Sequence, residues 1–184
     1  MIRKIVDVKN PVLREKSKEV KKIDKKIKEL VGDMMETLEV QEDPEGVGLA
    51  APQVGRDLRI FVMDYSGKKR VVINPCVLEV SEGLKAKPKT KAKNGKKKKD
   101  RNILEGCLSL PNYYGPIKRP QRIKISYMDL NGKKQVEEFN GFFAQIVQHE
   151  MDHLNGVLFI DRILEQKSPL YKFEGDEWEE VELI

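Results

Sequence analysis

The stretch that most constrains this chain is FFAQIVQHEMDHLNG, residues 142 to 156. Phe142, Ile146, Val147, Met151 and Leu154 recur at three- and four-residue steps, which predicts a helix with one apolar face. Residues four apart lie one turn above each other, so His149 and His153 point the same way and can share one metal ion. Glu150 lies one step round, within reach of a water bound at such an ion. The chain has 2 histidines, and both are here. The alternative is a pair of partly exposed helix histidines with no task.

With 184 residues the chain fits one domain able to bury a substantial core. No apolar run approaches the ~20 residues of a membrane span. The N-terminus has neither a secretory apolar core nor the look of a transit peptide, so the expected location is cytoplasmic. Cys76 and Cys107 are too few for a disulfide scaffold and suit a reducing compartment. The net charge of +5 comes from one place. Residues 85–101, KAKPKTKAKNGKKKKDR, hold nine lysines and one arginine against one aspartate, and the rest of the chain carries more acids than bases.

In chain order, Asn10-Pro11 turns into a short irregular segment. A helix is predicted from an Asp24 cap to about Val40, with Ile27, Leu30, Val31, Met34, Met35 and Leu38 as its core stripe. GVGLAAPQVG, residues 46–55, brings the backbone close to something and presents Gln53, unless it is an ordinary glycine-rich connection. It lacks the lysine and hydroxyl of a phosphate-binding loop, so no nucleotide is expected. Strands are predicted over 59–64 and 70–80, with Pro75 marking an edge or a bulge and Cys76 a buried small hydrophobe. The lysine-rich stretch has no apolar periodicity and predicts a flexible loop. A hairpin of 123–128 and 135–139 follows around Asn131-Gly132. Asn155-Gly156 closes the histidine helix. The acidic tail, about 166–184, fits a strand or a short helix equally well.

A catalytic metal of this style takes three protein ligands and keeps one position open. A downstream glutamate ligand, as in thermolysin-like peptidases, has Glu165, Glu174 and Glu177 as candidates, none in a convincing helix of its own. Cys107 is the stronger candidate, in a segment between Glu105 and Pro111 that looks like a fixed turn rather than a packed strand. A thiolate with two imidazoles is a known catalytic ligand set.

GVGLAAPQ, EGCLSLP and QHEMDH, in this order and without gaps, resemble the three signature motifs of the peptide deformylases. NPVLREKSKEV resembles the family's N-terminal region, and the similarity runs over roughly residues 1 to 165 apart from the lysine-rich insert. The resemblance implies an α+β fold, antiparallel sheets packed around a central metal-binding helix, in one catalytic domain over 1–184. It implies Cys107, His149 and His153 as metal ligands, with Fe2+ the usual ion and Zn2+, Ni2+ or Co2+ able to replace it. The implied activity is removal of the N-formyl group from the N-terminal formyl-methionine of nascent polypeptides, releasing formate.

In that chemistry Glu150 takes a proton from water as it adds to the formyl carbon, then delivers it to the departing amine. The Gln53 side-chain amide and the Leu108 backbone N–H would stabilise the developing oxyanion. Gly46, Val47 and Gly48 would pair with the substrate backbone, and Val47, Phe142 and Ile146 would hold the methionine side chain. Glu105 is expected to pair with Arg119 and brace the Cys107 segment. The implied partners are formylated nascent chains and, transiently, the ribosome. Residues 85–101 either contact ribosomal RNA through phosphate neutralisation or form a solvated, tolerated insertion. Two other readings stand beside this one: an H-E-x-x-H metallopeptidase with a downstream glutamate ligand, and an RNA-binding accessory protein with a structural metal. Glu150 speaks against the second, because a closed structural site needs no general base.

Overall fold

The computed structural model describes residues 1–42, 45–81 and 104–182. The lysine-rich insert at 85–101 lies outside them. Its framework is a five-stranded sheet in the order β1-β2-β3-β6-β7 and a four-stranded sheet in the order β4-β5-β8-β9. The first comprises β1 (Gly48–Ala50), β2 (Ile60–Tyr65), β3 (Lys68–Val80), β6 (Arg122–Met128) and β7 (Lys134–Asn140). The second comprises β4 (Leu104–Cys107), β5 (Leu110–Pro116), β8 (Leu170–Glu174) and β9 (Glu177–Val181). All neighbours pair antiparallel. The helices are α1 (Lys25–Glu39), α2 (Phe142–Leu154) and α3 (Phe159–Gln166).

Strand alternation explains why the larger sheet needs a helix on each face. Along β2, Ile60 and Val62 turn to one side, where they meet Leu30, Val31, Met34 and Leu38 of α1. Phe61 and Met63 turn to the other, where they meet Ala144, Ile146, Val147, Met151 and Leu154 of α2. Both predicted apolar stripes are therefore core. The Asp24 carboxylate caps α1 by accepting from Ile27 N at 3.1 Å. At the other end of the core, α2 closes through Val157 N and the Asp152 carbonyl at 2.9 Å, with Gly156 at φ +73°. No described helix is long and apolar enough to cross a membrane.

Three expectations need correction. Cys76 is exposed. Asn74 takes a left-handed φ of +51° and the register slips between Ile73 and Cys76, so Pro75 does sit at a bulge. Past it, Cys76 to Val80 run beyond the edge of the core and are exposed. Cys107 ends strand β4 rather than sitting wholly in a turn; the turn is Leu108-Ser109, between β4 and β5. Glu165 does lie in a helix, α3, where it accepts from Arg162 at 2.8 Å. The region from Leu170 to Val181, left open between strand and helix, is the β8–β9 hairpin.

Candidate metal centre

α2 carries the site on the side turned to β4. The ligand atoms of Cys107, His149 and His153 lie within 4.8 Å of one another, and all three residues are buried. Cys107 Sγ is 3.3 Å from His153 Nε2. A tetrahedral ion with metal–sulfur and metal–nitrogen bonds of about 2.3 and 2.0–2.1 Å holds such atoms about 3.5 Å apart, so the spacing fits. The donor chemistry fits as well. His149 Nδ1 bonds Glu105 Oε1 at 2.7 Å. A neutral imidazole that donates from Nδ1 turns the Nε2 lone pair to the opposite side.

Glu105 is itself held. Arg119 Nε and Nη2 donate to its two oxygens at 2.7 and 2.6 Å, and Gln145 Nε2 adds a longer bond at 3.3 Å. Burial opposes a charge on Glu105, but the Arg119 guanidinium and His149 outweigh it and keep its carboxyl well below the usual range. The expected Glu105–Arg119 pair is thus present, and it continues further than the sequence indicated. Arg119 Nη1 also donates to Asp152 Oδ2 at 3.0 Å, and Arg162 of α3 donates to both Asp152 oxygens at 2.7 and 3.1 Å. Asp152 and Arg162 were missed because neither fits a periodic or motif signal. Asp152 stands between the two histidines in the motif, and that position was the available hint.

On the other side of the ligands the groups are less satisfied. Glu150 Oε2 and His153 Nδ1 are buried without a protein hydrogen-bond partner. Burial pushes the Glu150 carboxyl up to about 7. For His153 the shift runs downward, with burial as the main cause and His149 next, so its imidazole stays neutral, as a ligand must be. For His149, burial disfavours the cation, but Cys107 and Glu105 outweigh it and raise the value.

Gln53 is 1% exposed at the end of the short 3₁₀ turn Ala51–Val54 that follows β1. Ala50 N donates to its Oε1 at 2.9 Å, which fixes the amide's direction. Its Nε2 then faces Cys107 Sγ at 3.6 Å and Ser109 Oγ at 3.4 Å. The N-terminal segment ties these pieces together, because Val6 N bonds the Gln53 carbonyl and Val8 N bonds the Ser109 carbonyl, both at 2.9 Å.

A cleft of about 180 Å³ opens over the ligands. Val47, Gly48, Gln53, Leu108, Phe142, Ile146 and Glu150 line it together with Cys107 and His149. Gly46 does not line it; its N–H is spent on the Gln41 carbonyl at 3.2 Å. Glu45, Leu104, Tyr114 and Gln145 line it too and had gone unremarked in the sequence. Gly48 is a forced choice, since a Cβ there would lie 2.4 Å from Glu150 Oε1. β1 is an edge strand of its sheet, paired on one side by β2.

Comparison with known proteins agrees with this geometry. A family model described as polypeptide deformylase matches residues 2–169. The peptide deformylase of Dictyoglomus thermophilum is 43% identical over 166 residues, covering 90% of this chain and 95% of that one. Among solved structures, the Thermotoga maritima peptide deformylase matches with a TM-score of 0.74 and 40% identity, covering 88% of this chain and 97% of that one. The Synechococcus elongatus peptide deformylase, solved in complex with actinonin, gives a TM-score of 0.71 at 35% identity, over 86% of this chain and 76% of that one. Similarity of this length and identity, carried by a Cys-His-His cluster beside a buried glutamate, means that the chain belongs to the polypeptide deformylase family.

Proposed function

We propose that Cys107, His149 and His153 hold the catalytic ion and that Glu150 is the proton carrier of a formamide hydrolysis. As a peptide deformylase, the chain removes the N-formyl group from N-terminal formyl-methionine of nascent peptides. The observation that carries the assignment of roles is Glu150: a buried carboxylate, raised to about 7, beside a buried thiol–imidazole cluster. The site is one for a divalent metal, and a bound ion would polarise the formyl oxygen and acidify water beside it.

The steps assigned to this chain's own groups balance as a hydrolysis. Glu150 takes one proton from water as the oxygen adds to the formyl carbon. Gln53 Nε2 and the Leu108 N–H donate to the oxygen that gains negative charge. Glu150 then returns the proton to the amine nitrogen as the C–N bond breaks, leaving formate and a free methionine amine. The outer edge of β1 at Val47 and Gly48, with Gly46 before it, supports pairing with an extended substrate backbone. Phe142 and Ile146, one turn apart on α2 and facing the cleft with Val47, support an apolar pocket for the methionine side chain.

Among ions we favour Fe2+, with Zn2+, Ni2+ or Co2+ compatible with the same thiolate and imidazoles. The test is formate release from formyl-Met-Ala-Ser under anaerobic conditions, with and without added ferrous iron. Turnover that follows iron loading is expected; turnover that survives Cys107→Ser with undiminished metal content would sink the ligand assignment. The metallopeptidase reading loses its support, because Glu165 pairs with Arg162 and no downstream glutamate is in the Cys-His-His cluster among the described residues. We further infer a cytoplasmic enzyme in transient contact with the ribosome, where its substrate arises. The charge of residues 85–101 supports that contact, and deleting them without changing the salt dependence of ribosome binding would remove the support.

A further inference from the structure

The four-stranded sheet has one face packed on α3 and another that is aromatic. Strand register decides which residues go where. Tyr114 pairs with Tyr171, Phe173 with Trp178, and Tyr171 with Glu180. Cross-strand partners share a face, so Tyr114, Tyr171, Phe173, Trp178 and Glu180 project together. Leu170, Tyr113 and Val181 turn the opposite way, onto Phe159 and Ile163 of α3. The aromatic face is a connected row. Tyr114 and Trp178 meet edge to face with ring centroids 5.4 Å apart, and Trp178 and Phe173 follow at 4.9 Å.

A single exposed tryptophan needs no explanation, and Trp178 is 53% exposed. The position of this row does. Tyr114 lines the catalytic cleft. Its ring lies across Gly106, where a Cβ would meet Tyr114 Cδ1 and Cε1 at 2.7 Å, and Gly106 precedes the ligand Cys107. The row therefore begins at the metal-bearing segment and runs away from it along the hairpin. The hairpin is also acidic: Glu174, Asp176, Glu177, Glu179, Glu180 and Glu182 stand against one Lys172. Aromatic faces among carboxylates suit cationic and aromatic side chains and repel polyanions.

Resting on the deformylase reading, we propose that this face is an extended subsite for the residues of the formylated chain downstream of the formyl-methionine, with a preference for basic and aromatic side chains. Continuity with the cleft argues for the substrate itself as occupant. The step from Tyr114 to Trp178 is less than two residues of extended chain at ~3.3 Å each. Exposed ring contacts of this kind correspond to about 2- to 5-fold in affinity apiece.

Three substrates test the subsite: formyl-Met-Ala-Ser, the same peptide extended by Lys-Phe-Lys-Phe, and the same extended by Asp-Ala-Asp-Ala. The expected order of kcat/KM puts the Lys-Phe extension first and the Asp-Ala extension last. Trp178→Ala should narrow the ratio between the two extensions about 2- to 5-fold, through KM rather than kcat, and Trp178→Phe should restore most of it. Trp178 is the one tryptophan of the chain, so the intact enzyme carries its own reporter. Its emission should shift with the deformylated Lys-Phe peptide and not with the Asp-Ala one. Equal kcat/KM for the two extensions overturns the subsite, and so does a ratio unchanged in Trp178→Ala. A wild-type emission that responds to a single-stranded oligonucleotide and to neither peptide also overturns it. No turnover of formyl-Met-Ala-Ser at all would sink the underlying deformylase reading instead.

Discussion

His149 and His153 lie one turn apart on α2, yet the regions behind and in front of them are built on opposite terms. Behind His149, Glu105, Arg119, Asp152 and Arg162 form a continuous chain in which each charged group meets an opposite one at 3.1 Å or less. In front, Glu150 Oε2 has no protein partner and Gly48 leaves only enough room for the carboxylate beside it. A group that must hold geometry gains from having its hydrogen-bonding capacity filled. A group that must gain and lose a proton cannot be tied to a fixed donor in one state, because that would settle its charge. The difference separates positioning from reactivity on one helix.

The largest effect should come from the unsaturated side. Glu150→Gln keeps the shape and removes the proton carrier, so kcat should fall by about 10²- to 10⁴-fold while metal content is retained. A variant that loses its metal as well would mean Glu150 holds the site together, and the contrast between the two regions would fail. Gly48→Ala probes the same region by shape alone. A Cβ 2.4 Å from Glu150 Oε1 must push the carboxylate aside. A displacement of that order costs on the order of 10²-fold in kcat, read against unchanged metal content. Normal turnover would show that the approach of β1 to Glu150 is incidental.

The saturated side should respond in affinity and stability rather than chemistry. Glu105→Gln leaves Arg119 with Asp152 as its remaining counter-charge and weakens the grip on His149 Nδ1. Metal affinity should drop about 10- to 100-fold. The metal-free protein should lose stability up to the ~3–5 kcal/mol typical of a buried pair stripped of one partner. Both are measurable, by competition with a chelator and by urea unfolding. If the dissociation constant of the metal stays where it was, the Glu105 bond does not orient His149.

The sequence made the front of the site more legible than the back. The helix of α2, the order of its two histidines and Glu150, and the stripe of α1 all follow from periodicity, which a single chain displays directly. Gln53 and Cys107 were found through motif resemblance, and the structure brings them 3.6 Å apart, amide to thiol. Arg162 could not be found this way. It acts through Asp152 from a helix of eight residues, α3, too short for its apolar positions to stand out. Asp152 looked like a solvated helix acid because its partners, Arg119 and Arg162, come from other elements. Pairing between distant charges leaves no periodic trace.

The two cysteines extend the contrast to its smallest expected effect. Cys107 is 4% exposed and lies among ligands, whereas Cys76 is exposed and makes no more than a weak contact from its Sγ to the Val77 carbonyl at 3.7 Å. The prediction of a buried Cys76 failed because apolar neighbours along Cys76–Val80 resemble a buried strand, while the bulge at Pro75 carries that end of β3 off the core. Cys76→Ser should therefore change stability by no more than about 0.5 kcal/mol and leave turnover alone. Urea unfolding of the full chain decides it. A loss well beyond that figure would mean that the exposed end of β3, with Val77, Leu78 and Val80 alongside, is covered in solution by something that a serine disturbs.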